Sequence, residues 1–224
     1  MRVPQFSAAF GGLVWIAFLA LRWAEIDPAI ALLLLAPLVI VPLALTRRED
    51  STFCSRVRKL YTLAAYTQFP AAVLLPIAFA FPAGPGAAAL TGPWLLFTAV
   101  LALAGVCGFL DRESRGGEDY CQLAALVYLP IGAAWLLLAR TGIQPLEFEP
   151  QIVLLTAVHF HFAGFALPLA ASWSAAALGA ATWARAVCWL VIASVPLTAV
   201  GITATQLGGP LFVETAAAWS MGIA

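Results

Sequence analysis

Two histidines, the only ones in a chain of 224 residues, stand two positions apart in an apolar run, Thr156-Ala157-Val158-His159-Phe160-His161-Phe162-Ala163-Gly164-Phe165. An imidazole can take or give a proton near neutral pH, or ligate a metal. Two residues along an α-helix is a rotation of about 200°, so the rings point to nearly opposite sides. They cannot easily clasp one metal ion together. If the helix starts at Gln151, His159 lies about 12 Å deep and His161 about 15 Å deep, at roughly 1.5 Å per residue. Each then needs a hydrogen-bonding neighbour or a cavity. Acids that could work with them are Glu25, Asp27, Glu147, Glu149 and Glu214. Glu214 differs from the rest, because its neighbours are nearly all apolar. Solvated loops account for the other four. Gln68 adds a polar group near the middle of another apolar run.

These residues are embedded in a sequence that is 63% hydrophobic and 10% charged. A soluble domain has roughly 45–50% and 25%. The mean hydropathy is +0.96. Only a bilayer removes the need for more polar surface. The expected fold is all-α: a polytopic bundle of about seven transmembrane helices in one domain over residues 1–224. The spans run roughly over 6–21, 29–45, 60–81, 88–110, 120–139, 151–178 and 184–203. Prolines 37, 42, 70, 76, 130, 168 and 196 fall inside them. Neighbouring helices can re-satisfy the carbonyls these release, so kinks are expected rather than breaks. Residues 211–224 are too few to span, and form either a re-entrant or interfacial segment or an eighth helix cut short. No signal-peptide cleavage site follows Arg2, so the first helix is expected to stay as an anchor.

If the 47–59 loop is cytoplasmic, nine basic residues lie inside (Arg2, Arg47, Arg48, Arg56, Arg58, Lys59, Arg112, Arg115, Arg185) and Arg22 and Arg140 outside. The bias places the N-terminus in the cytoplasm of a multi-pass protein of the cell inner membrane. Cys54, Cys107, Cys121 and Cys188 then fall toward the reducing side and are expected as free thiols. No CxxC spacing supports a metal site, and no cofactor is expected. Net charge is zero, which gives no reason to expect a nucleic-acid partner. The expected partners are the lipid bilayer and an apolar small molecule.

The string HFHFAG at 159–164, with Tyr128-Leu129-Pro130-Ile131-Gly132-Ala133-Ala134-Trp135 before it, resembles the YndJ-like bacterial membrane family. The resemblance extends over about 126–215 and implies a transporter-like role. The architecture is also similar to small integral-membrane terpene cyclases, which protonate an epoxide or alkene on a prenyl chain. That similarity implies an enzyme acting on an isoprenoid, though fold alone does not fix function. Its requirements are a general acid in a dry pocket and aromatic walls to meet positive charge. His161, His159, Glu214 and Glu25 are the expected catalytic groups. Gln68, Trp135, Phe165 and Tyr128 are the expected substrate contacts. His161 is expected to face the cavity, with His159 toward a neighbouring helix or the rim. A small-molecule or proton-coupled transporter is the alternative; its small size would then call for an oligomer. A haem- or metal-binding membrane protein is the third reading.

Overall fold

The computed structural model describes residues 3–22, 27–46, 54–111, 116–179 and 182–223. Ten α-helices follow one another in these stretches: α1 Val3–Arg22, α2 Pro28–Leu35, α3 Val41–Leu45, α4 Ser55–Ala80, α5 Pro85–Leu110, α6 Gly117–Thr141, α7 Pro150–His161, α8 Leu167–Ala177, α9 Thr182–Gln206 and α10 Leu211–Ile223. No strand occurs among the described residues. Wide π-helical turns at Ala36–Ile40 and Phe162–Ala166 join α2 to α3 and α7 to α8. Seven segments are long and apolar enough to cross a bilayer: α1, Pro28–Leu45, α4, α5, α6, Pro150–Ala177 and α9. The protein is an all-helical integral membrane protein. Large side chains such as Leu21, Leu96 and Val200 stand exposed on its outside. Lipid is the solvent that makes such a surface stable.

Both π-helical turns have the same cause. Each ends one residue before the pair Val41-Pro42 or Leu167-Pro168. A proline ring crowds the carbonyl four residues back and supplies no N–H. The chain relieves the crowding by widening the preceding turn. Val41 N–H then bonds the Ala36 carbonyl, and Leu167 N–H that of Phe162. The carbonyl next in line, Pro37 or Ala163, has lost both of its helical donors. At Pro37 the replacement is Gln68 of α4, whose Nε2 donates to that oxygen at 2.7 Å. Gln68 is 1% exposed. Its polarity at mid-membrane therefore answers a defect in a neighbouring helix.

The main core is built from α2, α4, α5, α6 and α7, around residues such as Leu33, Leu75, Trp94, Leu129 and Leu136. Helix α6 is central: it packs on α5, α7, α8 and α9. Arg140, near its end, donates to the carbonyls of Ala78 and Phe81 and so fastens the end of α4. A smaller cluster at the other end of the bundle joins Cys121, Ala175, Ala184, Cys188 and Val191. The four cysteines are unbridged.

The segment after α9 turns at Leu207–Pro210 and folds back as α10 along α9. Gly201 permits this. A Cβ there would sit 2.9 Å from Ala217 Cβ and 3.0 Å from Glu214 Cα. Of the two forms expected for the tail, the described residues show a helix lying back on the bundle.

Candidate functional site

The two motif segments form one interface. Gly132 of α6 lies against His161 and Phe160 of α7: a Cβ there would meet His161 Nδ1 at 2.8 Å and Phe160 Cβ at 3.0 Å. Gly164 lies against Tyr128 in the same way, at 3.0 Å from its Cβ. The rings of Tyr128 and Phe160 meet edge to face at 6.1 Å. The small residues in each string make room for the large ones in the other.

This close approach fixes the rotation of α7 and with it the fate of each histidine. His161 is fully buried. Its Nδ1 lies 2.8 Å from the Ala157 carbonyl, and Trp94 N–H points to its Nε2 at 3.1 Å. A carbonyl only accepts, so Nδ1 carries the proton and Nε2 takes the indole hydrogen. Both ring nitrogens are used, and none is left for a substrate or a metal. The expectation that His161 faces the cavity is corrected: it is a core residue joining α5 to α7.

His159 points the other way, as the 200° separation requires. It is half-buried, and its Nε2 lies 3.1 Å from the Val195 carbonyl of α9. By the same reasoning Nε2 holds the proton and donates. In the neutral ring Nδ1 keeps a free lone pair.

His159 lines a cleft of about 320 Å³ between α6, α7, α9 and α10. Its apolar walls include Trp135, Phe148, Leu155, Phe160 and Ile202. Trp135 and Phe148 stack at 6.4 Å with 13° between their planes. The polar groups reaching the cleft are Thr156, His159, Thr203, Gln206 and Glu214. Phe148 is brought there by a tight turn in which Leu146 and Glu147 have positive φ, 55° and 60°. That region is rare for such side chains. Glu214 arrives from the first turn of α10, held against α9 through Gly201.

Of the residues singled out in the sequence, the fold brings His159, Glu214 and Trp135 together. Glu25 lies outside the described residues. Gln68 serves the Pro37 carbonyl and does not line the cleft. Phe165 is in the main core, 1% exposed. Tyr128 donates its hydroxyl to the Ile192 carbonyl at 2.9 Å, tying α6 to α9. Thr156 and Thr203 are polar cleft residues that sequence reading did not offer as site residues. Their signal was helical spacing: Thr156 stands three positions before His159 on α7, and Thr203 shares one face of α9 with Ala199 and Gln206. Glu147 and Glu149 are exposed, as solvated loop acids should be. Among the described residues no group of three or more His, Cys, Asp or Glu could hold a metal ion.

A family model described as YndJ-like protein matches residues 31–223. An uncharacterized membrane protein YndJ of Bacillus subtilis (strain 168) is 30% identical over 159 residues, covering 70% of this chain. The alignment covers 28% of that relative's length. No solved structure matches.

Proposed function

We infer that this chain, which belongs to the YndJ-like family, admits a lipid-soluble small molecule to the cleft between α7, α9 and α10 and exchanges a proton with it. The observation that carries this reading is the free Nδ1 lone pair of His159, in a largely apolar cleft that also holds a carboxyl group. A few convergent polar groups inside apolar walls mark a ligand site. His159 is the base, able to take a proton at Nδ1 while Nε2 stays anchored on Val195. Glu214 places a carboxyl group opposite the positive charge so formed. The isoprenoid chain favoured from the sequence is one molecule that would partition into the bilayer and lie against Trp135, Phe148 and Phe160. By the basic-residue bias the cleft opens in the outer half of the inner membrane.

The test is to incubate the purified protein, in nanodiscs, with an extract of bacterial membrane lipids. The species bound or consumed are then compared by mass spectrometry with those from His159→Gln and Glu214→Gln. A lipid-soluble species retained or converted by the unaltered protein and lost in both variants supports the reading. Identical profiles for all three proteins would overturn it.

Transport is a second reading, favoured by one observation. The spans Pro28–Leu45 and Pro150–Ala177 are both interrupted by π-helical turns, and α2 packs on α7. Paired interrupted helices are where transporters place their sites. Flux of the retained species into proteoliposomes, driven by a pH gradient, would select this reading over conversion.

A further inference from the structure

The polar groups of the cleft are almost all acceptors, and this determines which head group fits. Thr156 spends its hydroxyl hydrogen on the Ile152 carbonyl at 2.7 Å, and Thr203 spends its own on Ala199 at 2.8 Å. What each still offers is an oxygen lone pair. His159 has used its one N–H on Val195 and offers Nδ1. Glu214, as a carboxylate, accepts only. Gln206 and the indole N–H of Trp135 are the lining groups with donors to spare. No lysine or arginine lines the cleft. A phosphate, diphosphate or carboxylate would find three neutral acceptors and a carboxylate against one amide and one indole N–H. A donor-bearing cation would find the reverse.

The walls favour the same ligand. Trp135, Phe148 and Phe160 present aromatic rings, and the face of an aromatic ring attracts cations. The volume of about 320 Å³ is at the small end of ligand pockets, roughly 300–1,000 Å³. It accepts a head group and the first part of a chain, but not a two-chain lipid.

We propose that the cleft binds a single-chain or compact lipophilic amine in its protonated form. The ammonium N–H groups meet His159 Nδ1, the threonine oxygens and Glu214, and the apolar part lies against Trp135, Phe148 and Phe160. The proposal rests on the cleft being a ligand site, as inferred above, and narrows its ligand class. An uncharged alcohol or an anionic amphiphile is the competing occupant.

The experiment uses the full chain in nanodiscs of zwitterionic lipid and four probes of equal chain length: dodecylamine, dodecyltrimethylammonium, dodecanol and dodecyl phosphate. Binding is measured by calorimetry on the unaltered protein, on Glu214→Gln and on Ala199→Phe, which fills the cleft. Dodecylamine should bind about tenfold or more tighter than dodecanol. Dodecyltrimethylammonium, which has the charge but no N–H, should fall between them, and dodecyl phosphate should bind weakest. Glu214→Gln should bring the amine close to the alcohol. The ranking on the unaltered protein decides by itself, even if a variant fails to fold. Equal binding of amine and alcohol, or preference for the phosphate, overturns the cation assignment and leaves the cleft as a ligand site. If no probe distinguishes the unaltered protein from Ala199→Phe, the ligand site itself is lost.

Discussion

Trp94 on α5 donates its indole N–H to Nε2 of His161 on α7 across 3.1 Å, and the planes of the two rings are 18° from parallel. Neither residue is exposed. The pair ties together helices that are 67 positions apart in the chain and leaves the imidazole with no free lone pair. In a medium without water, an unmade bond at either end has nothing to replace it.

Trp94→Phe removes the donor and three ring atoms, leaving a small cavity at a fully buried site. It should lower stability by about 2 kcal/mol, from the unpaired acceptor and the cavity together. His161→Leu should cost a similar amount, and the double variant should cost less than the sum. Unfolding of the three variants in detergent, compared with the unaltered chain, checks this. Additive losses would show that the two rings are not coupled.

Gln68 gives a second test of how the bundle repairs itself. Its Nε2 serves the Pro37 carbonyl, while its Oε1 has no partner among the described residues. Gln68→Leu should destabilise by about 1 kcal/mol, because the Pro37 oxygen is then bare. Pro42→Ala returns an N–H to α3 that can reach that oxygen. The loss from Gln68→Leu should therefore shrink in a Pro42→Ala background. An undiminished loss would mean that Gln68 acts through packing.

The seven spans were legible because hydrophobic run length and charged breaks depend on nothing but local sequence. The opposed directions of His159 and His161 were legible from two residues of helical rotation. Which of the two faces the cleft was not. Periodicity fixes the angle between two side chains on one helix, not the absolute rotation of that helix. The rotation is set by Gly132 and Gly164 fitting against α7 and Tyr128, and by Trp94 reaching His161 from α5. Gln68 looked like a site residue for a related reason. Its partner is a backbone carbonyl freed 31 positions away, and only the fold shows that the carbonyl needs a donor. Glu214 stood out as an acid among apolar residues. Its arrival beside His159 depends on Gly201 letting α10 settle on α9.

Orientation is tested independently of any site. Gly116 precedes α6 and Gln144 follows it, so the two lie on opposite sides of the membrane. The distribution of Lys and Arg predicts Gly116 in the cytoplasm and Gln144 outside. A phosphatase fusion should be active after Gln144 and silent after Gly116, and a fluorescent protein fusion should show the opposite. The reverse result would place the cleft in the cytoplasmic half.

The two nitrogens of His159 can be separated by substitution, because glutamine and asparagine each copy a different one. The amide nitrogen of glutamine stands as many bonds from Cβ as imidazole Nε2. His159→Gln can therefore still donate to the Val195 carbonyl, but it places no acceptor where Nδ1 was. Asparagine is shorter, and its oxygen sits near the position of Nδ1. His159→Asn keeps an acceptor toward the cleft and removes the donor that reaches Val195 from α7. If Nε2 is structural and Nδ1 serves the ligand, the variants must fail in opposite ways. His159→Gln should unfold at nearly the temperature of the unaltered chain and lose most of its affinity for dodecylamine. His159→Asn should be less stable by about 0.5–1 kcal/mol, the loss of one hydrogen bond between α7 and α9, and should keep most of that affinity. Thermal unfolding and calorimetry on the same preparations read both properties. A glutamine variant that binds normally, with an asparagine variant that does not, would assign the ligand contact to Nε2 and remove the reading of Nδ1 as the base.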